Sequence, residues 1–328
     1  MRRRDVLGAA AIAMVVGSVA EVASAQAGPV RRVPRVGVLT PAETDRTPVF
    51  EAFRQGLREH RYSEGRDIVL EFRLARGDYG ALERLARELV DLPVDVILTD
   101  GDTTVAQAAI RATDKIPIIM GTSADPVAQG YVASLARPGG NVTGFTLLTT
   151  ELTLKRLELL RTAFPDAKRV TVLLNPLNRG SEVGFTSSLE ASAPIGLTLT
   201  RLEAATPDAI RALRPDAIRE PVLVLPDAMF WNRRRDIVAV LSAAGVPALH
   251  PEREYADEGG LIAYGPSVPD NFRRAAGYVH RILGGAKPGE LPVQQPSRFE
   301  LVVNLKAARA LGVDLPPAIL GRADEVIE

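Results

Sequence analysis

The chain has no cysteine, and histidine and aromatic residues are scarce: its 328 residues include 3 His, 9 Phe, 6 Tyr and 1 Trp. Without cysteine, the fold depends on its apolar core, because neither a disulfide nor a thiolate metal site can form. The histidines show neither H-x-x-x-H nor H-E-x-x-H spacing. We therefore expect no metal site and no cofactor.

The chain also lacks an excess of either charge, since Lys+Arg and Asp+Glu both number 40. A nucleic-acid-binding protein would show a basic excess, so we expect no nucleic-acid partner. No Walker loop or G-x-S-x-G elbow occurs, and neither of the first two predicted strands ends in G-x-G-x-x-G. These absences argue against phosphate-binding and hydrolase chemistry, and no catalytic residues are predicted.

The N-terminus has the three parts of a secretory signal. Arginines at 2–4 precede an apolar run at 6–19, and Ala-Ser-Ala at 23–25 is typical of a cleavage site. The run is shorter than the ~20 apolar residues that a membrane span needs. We predict that residues 1–25 are a signal peptide and that the mature protein is periplasmic. Arg3 and Arg4 leave open whether export uses the twin-arginine route.

From residue 33 onward, short apolar runs alternate with amphipathic segments. Predicted strands cover residues 35–39, 67–75, 94–99, 116–120 and 141–146, then 169–174, 197–202, 221–225, 246–249 and 261–264. Strands that alternate with helices indicate parallel sheets covered on both faces. The pattern predicts two α/β units joined near residue 146. A Pro/Gly-rich connection at 284–297 separates a predicted helix at 271–283 from a strand at 299–303.

Small polar and acidic residues follow or end these predicted strands, where ligands of parallel sheets gather. The candidate ligand contacts are Thr40, Asp100, Gly101, Asp102, Thr103, Thr122, Ser123, Asp125, Asn175, Asn178, Asp227 and Tyr264. Hydroxyl groups and free N–H groups at helix starts suit a carboxylate, and a nearby aspartate suits an ammonium group. This combination predicts an amino-acid-like ligand.

Several of these residues also have a purely structural interpretation. Asp125 followed by Pro126 is typical of a helix N-cap and first helical position, and we favour that role for Asp125. Thr122 and Ser123 precede this predicted cap, so a ligand contact is favoured for them. The choice between a cap, a turn or packing and a ligand contact stays open for Asp102, Thr103, Asn175, Asn178, Asp227 and Tyr264.

Longer segments match a known family. They are RVGVLTP at 35–41, VDVILT at 94–99, SADPVAQGYVASLARPGGNVTGFT at 123–146, KRLELL at 155–160, VLVLPD at 222–227, the tail at 259–312 and GRADEVIE at 321–328. The sequence resembles the tryptophan/tyrosine-type substrate-binding proteins of ABC transporters, which are periplasmic binding proteins of the type I fold.

The resemblance implies two Rossmann-like parallel-sheet lobes with three hinge crossovers, near Gly144, Tyr264 and residues 295–299. It assigns residues 33–144 plus 266–296 to an N-terminal lobe and 145–265 plus 297–328 to a C-terminal lobe. Family members capture a small solute, in some cases an aromatic amino acid, and pass it to a membrane permease driven by a separate ATPase. We therefore expect a monomeric, non-enzymatic binding protein whose partners are a solute and an ABC permease.

The sequence departs from the family at two aspartates, because relatives often carry small uncharged residues at the positions of Asp100 and Asp102. Whether the ligand is an aromatic amino acid therefore stays open. Two other functions remain as alternatives. One is an exported α/β enzyme that uses a carboxylate pair such as Asp100 and Asp227, and the other is a ligand sensor for a membrane receptor.

Overall fold

The computed structural model describes residues 32–101, 103–147, 149–214 and 218–328, without the side chains of 149–151. Residues Pro34–Glu328 form one compact unit. The predicted signal peptide, residues 1–25, and the candidate contact Asp102 lie outside the described residues. Within the ranges given, no helix has the length and apolar character needed to cross a membrane.

The first lobe is built on a five-stranded parallel sheet. Its strands are β1 (Arg35–Thr40), β2 (Val69–Leu74), β3 (Val96–Thr99), β4 (Ile118–Met120) and β5 (Val142–Gly144), in the order β2-β1-β3-β4-β5. The helices between them are α1 (Pro48–Glu59), α2 (Leu82–Asp91) and α3 (Thr103–Ala112). Each strand predicted in this half is present; β1 is one residue longer than predicted, and the other four are shorter.

The second lobe is built on a seven-stranded sheet in the order β12-β11-β10-β9-β8-β6-β7. Its strands are β6 (Arg169–Leu174), β7 (Thr198–Glu203), β8 (Val222–Val224), β9 (Ala248–His250), β10 (Ile262–Gly265), β11 (Glu300–Asn304) and β12 (Glu325–Ile327). The helices of the chain after β5 are α4 (Thr149–Ala163), α5 (Arg179–Ser192), α6 (Pro207–Arg211), α7 (Ala228–Asn232), α8 (Arg234–Ala243), α9 (Arg253–Asp257), α10 (Val268–Leu283), α11 (Leu305–Leu311) and α12 (Pro317–Leu320).

One pair of strands in the second sheet departs from the expected parallel pattern, because β10 and β11 are antiparallel. After β10 the chain leaves for the first lobe, and it returns along residues 294–300 to the end of the sheet that it left. Strand β11 therefore runs back beside β10 in the opposite direction. The short strand β12 was not predicted, since its three residues form no apolar run of their own.

The chain passes between the two sheets three times: after β5, after β10 and before β11. Two of these passages pair with each other, since the Gln294 N–H donates to the Gly144 carbonyl (2.8 Å) and the Thr146 N–H to the Gln294 carbonyl (3.0 Å). Between the second and third passages, α10 packs against α1 and β4 of the first lobe. The exact lobe bounds given above stay a prediction.

The helix predicted to start at Asp125 is absent, so that prediction was wrong. The Asp125 Oδ1 does accept from the N–H groups of Val127 (3.1 Å) and Ala128 (2.9 Å), as a cap would. The chain nevertheless makes only turns over residues 126–130, and Gly130 has a positive φ of 72°. A left-handed residue there ends the first turn, and the Pro138-Gly139-Gly140 stretch follows before any new element can start.

Helices α1 and α10 approach each other closely at Gly56. A Cβ atom at this position would lie 2.1 Å from the carbonyl oxygen of Arg273 in α10. This is a backbone atom, so it cannot move away without moving the helix. The absence of a side chain at Gly56 therefore sets the distance at which α10 packs on the first lobe.

We expect Gly56→Ala to lower the free energy of unfolding by about 2–3 kcal/mol, because overpacking against the backbone outweighs the better helix propensity of alanine. Urea denaturation followed by circular dichroism measures this change. Gly140→Ala is the matched control, since a Cβ there meets no atom within 4 Å. Equal stability of the two variants would contradict this account of the packing.

Candidate functional site

A pocket of about 410 Å³, a volume that includes open solvent at its mouth, lies where strand ends of both lobes meet. Asp100 and Gly101 follow β3 and Thr122 follows β4 in the first lobe, while Asp227 follows β8 and Glu252 follows β9 in the second. The remaining lining residues are Val49, Leu147, Pro226, Ala228, Trp231, Asn232 and Val268. Carboxyl ends of parallel strands are the usual place for a ligand in such sheets.

The lobes contact each other directly beside this pocket. The Tyr79 hydroxyl of the first lobe donates a buried hydrogen bond of 2.8 Å to Oδ2 of Asp227. The Arg179 N–H, at the start of α5, donates to the Thr104 hydroxyl of α3 at 2.9 Å. Arg233 and Glu43 also form an ion pair across the two lobes. The structure therefore shows the lobes closed on each other.

Asp227 is a buried carboxylate whose two oxygens are both engaged. Its Oδ2 accepts from Tyr79, from the side-chain amide of Asn175 (3.1 Å) and from that of Asn178 (2.9 Å). Its Oδ1 accepts from the Phe230 N–H (2.9 Å), which makes Asp227 the N-cap of α7. Burial raises the pKa of Asp227, and these hydrogen bonds oppose the rise. Asp227 thus combines the capping role with a place on the pocket wall.

Asp100 is the corresponding carboxylate of the first lobe, and it is only 5% exposed. The Thr40 hydroxyl donates to its Oδ2 at 2.6 Å. Burial raises the pKa of Asp100 to about 6, and the hydrogen bond from Thr40 opposes that rise. Among the described side chains only Thr40 donates to Asp100, so this carboxylate retains acceptor capacity toward the pocket.

Glu252 is a third buried carboxylate on the pocket wall. It is 4% exposed, and its Oε2 has no hydrogen-bond partner. Burial raises the pKa of Glu252 to about 8, and the positive charge of Arg156 opposes the rise. The Arg156 guanidinium binds backbone carbonyls, with Nε to Tyr264 (3.0 Å) and Nη2 to Pro251 (3.1 Å). Arg156 therefore fastens the ends of β9 and β10 and forms no direct ion pair with Glu252.

The comparisons with known proteins agree with this arrangement. Residues 35–327 match the family model described as ABC transporter substrate binding protein. The chain belongs to this family. This substrate-binding protein is 27% identical over 264 residues to a curated tyrosine-binding protein of Clostridioides difficile, a match that covers 80% of this chain and 75% of that protein.

Solved structures show the same two-lobed α/β fold. A conserved domain protein from Vibrio cholerae superposes with a TM-score of 0.81 at 27% identity, covering 90% of this chain and 100% of that one. An ABC domain from Streptococcus pneumonia in complex with L-Trp gives a TM-score of 0.79 at 22% identity, with the same coverage. The substrate-binding protein thus has the type I periplasmic binding protein fold implied by its sequence.

The candidate contacts named from the sequence fall into three groups. Those on the pocket wall are Asp100, Gly101, Thr122 and Asp227. Those that hold a wall residue in place are Thr40, Asn175 and Asn178. Four candidates lie away from the wall. Thr103 is the first residue of α3, and Ser123 is buried with an unpartnered hydroxyl. Asp125 caps its turn, and Tyr264 lies in β10 with its ring 6.3 Å from that of Phe299.

Sequence reasoning missed much of the second lobe's wall, above all Trp231, Asn232 and Glu252. A signal for Glu252 was present, because it follows the apolar run of β9 just as Asp227 follows β8. Trp231 is the single tryptophan of the chain and stands on the helix that Asp227 caps. Within the described ranges, no group of three or more His, Cys, Asp or Glu residues is arranged to hold a metal ion.

The raised pKa of Glu252 predicts that the ligand-free protein loses stability in mild alkali. The folded state keeps the proton up to a pKa of about 8, whereas the unfolded state releases it near 4.5, so folding binds a proton between these values. Glu252 therefore contributes most to the free energy of unfolding at low pH, and this contribution falls as the pH rises. We expect the free energy of unfolding to drop by about 2 kcal/mol between pH 6.5 and 8.5.

Urea denaturation at these two pH values measures the effect. Glu252→Gln removes the titrating group and should abolish most of the difference. Glu190→Gln, on the exposed surface of α5, should leave the difference unchanged. A pH dependence that survives in Glu252→Gln would show that another group is responsible.

Proposed function

We propose that this substrate-binding protein is exported, captures a small amino-acid-like or aromatic ligand in the pocket between its lobes, and delivers it to an ABC permease. One observation carries the proposal: polar strand ends from both lobes, Asp100 and Thr122 on one side and Asp227 and Glu252 on the other, border a single pocket. Two similar proteins support this ligand class, since one is a tyrosine-binding protein and the other is in complex with L-Trp.

Closure of the lobes explains capture and release. A ligand that contacts both walls adds interactions that exist only in the closed state, so it shifts the population toward closure. The contacts of Tyr79 with Asp227 and of Thr104 with Arg179 form in that state as well. They give the closed form a fixed shape that a permease can recognise.

A binding role fits the pocket better than catalysis. The enzyme alternative needs a carboxylate pair such as Asp100 and Asp227 to exchange protons with a substrate. Asp227 accepts four hydrogen bonds, from Tyr79, Asn175, Asn178 and the Phe230 N–H, and has no free oxygen for that task. We therefore propose that the bound solute leaves unchanged.

We expect the pair of substitutions Thr122→Ala and Ser123→Ala to abolish ligand binding with little loss of fold stability. Thr122 lies on the wall, and the Ser123 hydroxyl is buried without a partner beside it. A thermal-shift screen of wild type with tryptophan, tyrosine and other amino acids identifies a ligand, because tight binding raises the melting temperature. The double variant should lose this shift.

Thr186→Ala on α5, a helix of the second lobe, serves as the control and should keep the full shift. Small-angle scattering of the ligand-free and liganded protein then reports whether ligand favours a compact form. Absence of any shift with every compound tested would contradict the proposed capture function.

Export is tested through the first residues. We expect the mature protein in the periplasmic fraction to begin at Gln26, because Ala23-Ser24-Ala25 is a cleavage pattern. N-terminal sequencing and cell fractionation measure this outcome. Removal of residues 1–25 should leave the protein in the cytoplasm with an unchanged melting temperature. Retention of those residues on the periplasmic protein would contradict cleavage.

A further inference from the structure

Two polar atoms of pocket-lining residues are buried without a hydrogen-bond partner. They are Oε2 of Glu252 and Nε1 of Trp231, whose residues are 4% and 5% exposed. Buried polar atoms in folded proteins are nearly always bonded, because losing water without a replacement partner is costly. Both residues border the pocket, so a hydrogen-bond donor on a bound ligand is the natural partner of Oε2 of Glu252. Nε1 of Trp231 is itself a donor and needs an acceptor.

The charges on the pocket wall all have the same sign. Three of the lining residues are carboxylates, Asp100, Asp227 and Glu252, and the described lining residues include no Lys, Arg or His. Asp227 already accepts four hydrogen bonds, so it contributes charge but no free acceptor. Asp100 of the first lobe and Glu252 of the second are therefore the carboxylates that can still bind a donor.

The positive charges that act on Glu252 are those of Arg156 and Arg234, and neither forms an ion pair with it. Arg156 donates to two backbone carbonyls through Nε and Nη2, and its Nη1 has no hydrogen-bond partner. Arg234 lies over the Trp231 ring at 4.6 Å, donates to the Trp231 carbonyl and pairs with Glu258 at 3.4 Å. Neither arginine lines the pocket.

The other titratable neighbours do not supply a positive charge. Glu254 is a half-buried acid, and the buried Tyr255 hydroxyl is neutral, since burial raises the pKa of both groups. The His250 ring stacks on Tyr255, and burial lowers its pKa to about 3, which keeps it neutral. No described cation is therefore paired directly with Glu252, and its Oε2 is left for a donor on a ligand.

We propose that the pocket takes an organic ammonium ion whose charged nitrogen is bound by Asp100 from the first lobe and Glu252 from the second. The apolar body of this ligand lies among Trp231, Leu147 and Val268. The inference rests on the proposed function and specifies the charge of the cargo. A carboxylate on the ligand would face three wall carboxylates, so an amine is favoured over the corresponding amino acid.

Three compounds with the same indole ring distinguish an amine ligand from an amino acid and from a carboxylate: tryptamine, L-tryptophan and indole-3-propionate. They present a cation, a zwitterion and an anion, respectively. We expect calorimetry at pH 8 to show that tryptamine binds at least tenfold more tightly than L-tryptophan and that indole-3-propionate does not bind. Tyramine, L-tyrosine and 4-hydroxyphenylpropionate repeat the comparison with a phenol ring.

Two independent variants test the residues. Glu252→Gln and Asp100→Asn should each weaken tryptamine binding by at least tenfold, because each removes one charge that faces the ammonium group. Glu190→Gln is the control, since Glu190 is an exposed acid of α5 that does not line the pocket. It should change the affinity less than twofold. Melting curves without ligand verify that each variant is folded.

The pH dependence of binding adds a readout that a loss of packing would not produce. A cation favours the ionised form of Glu252, whose pKa is about 8 in the ligand-free protein, so binding releases a proton. The affinity of wild type for tryptamine should rise about tenfold between pH 7 and pH 9, while the amine remains largely protonated. In Glu252→Gln the affinity should be nearly constant over this range.

The outcomes distinguish this inference from the function on which it rests. If L-tryptophan or indole-3-propionate binds more tightly than tryptamine, or if both carboxylate variants bind tryptamine like wild type, the inference is overturned and the capture function stands. If none of the six compounds binds, the proposed aromatic or amino-acid-like ligand class fails as well.

Discussion

The closed arrangement of the two lobes depends on one buried carboxylate. Asp227 follows β8, caps α7 and accepts hydrogen bonds from Asn175 and Asn178 of its own lobe and from Tyr79 of the other. A buried carboxylate is tolerated only where donors replace the water that it loses. The Tyr79 hydroxyl is one of those donors, so separating the lobes would leave Asp227 with one hydrogen bond fewer.

Asp100 and Glu252 differ from Asp227, since neither accepts as many hydrogen bonds from the protein. Both are buried in the closed structure, and Arg156, whose positive charge acts on Glu252, forms no ion pair with it. For Glu252, a rise in pKa from 4.5 to about 8 corresponds to a cost on the order of 5 kcal/mol for keeping the ionised form buried. At neutral pH the ligand-free closed protein therefore holds this carboxyl largely protonated.

Much of the fold could be predicted from the sequence, because apolar runs of parallel strands and helix periodicity are local signals. The first sheet followed directly from five such runs. The antiparallel β11 could not be deduced in this way, because its direction depends on where a distant segment re-enters the sheet. At Asp125 a local signal gave a wrong prediction: the capping residue is present, but Gly130 ends the turn before a helix forms.

The site was predicted only in part, for a related reason. Rules about strand ends found Asp100, Gly101, Thr122 and Asp227, which do line the pocket. The same rules could not show that the side-chain amides of Asn175 and Asn178 donate hydrogen bonds to Asp227, because these bonds depend on the directions of side chains in the folded lobe. Nor could they show that Arg156 would bind carbonyls and leave Glu252 without a partner.

The contrast between Asp227 and Glu252 suggests how closure is made to depend on the ligand. Asp227 is satisfied by the protein itself, so it stabilises the closed form whether or not a solute is present. Glu252 is not, so the closed form without a solute either keeps a proton on this carboxyl or buries its charge without an ion pair to Arg156 or Arg234. Because a ligand can shift an equilibrium only by its differential affinity for the two states, a carboxyl that lacks a hydrogen-bond partner in the closed form is well placed to provide that difference. The protein thus separates the contacts that fix the shape of the closed state from those that decide when it is populated.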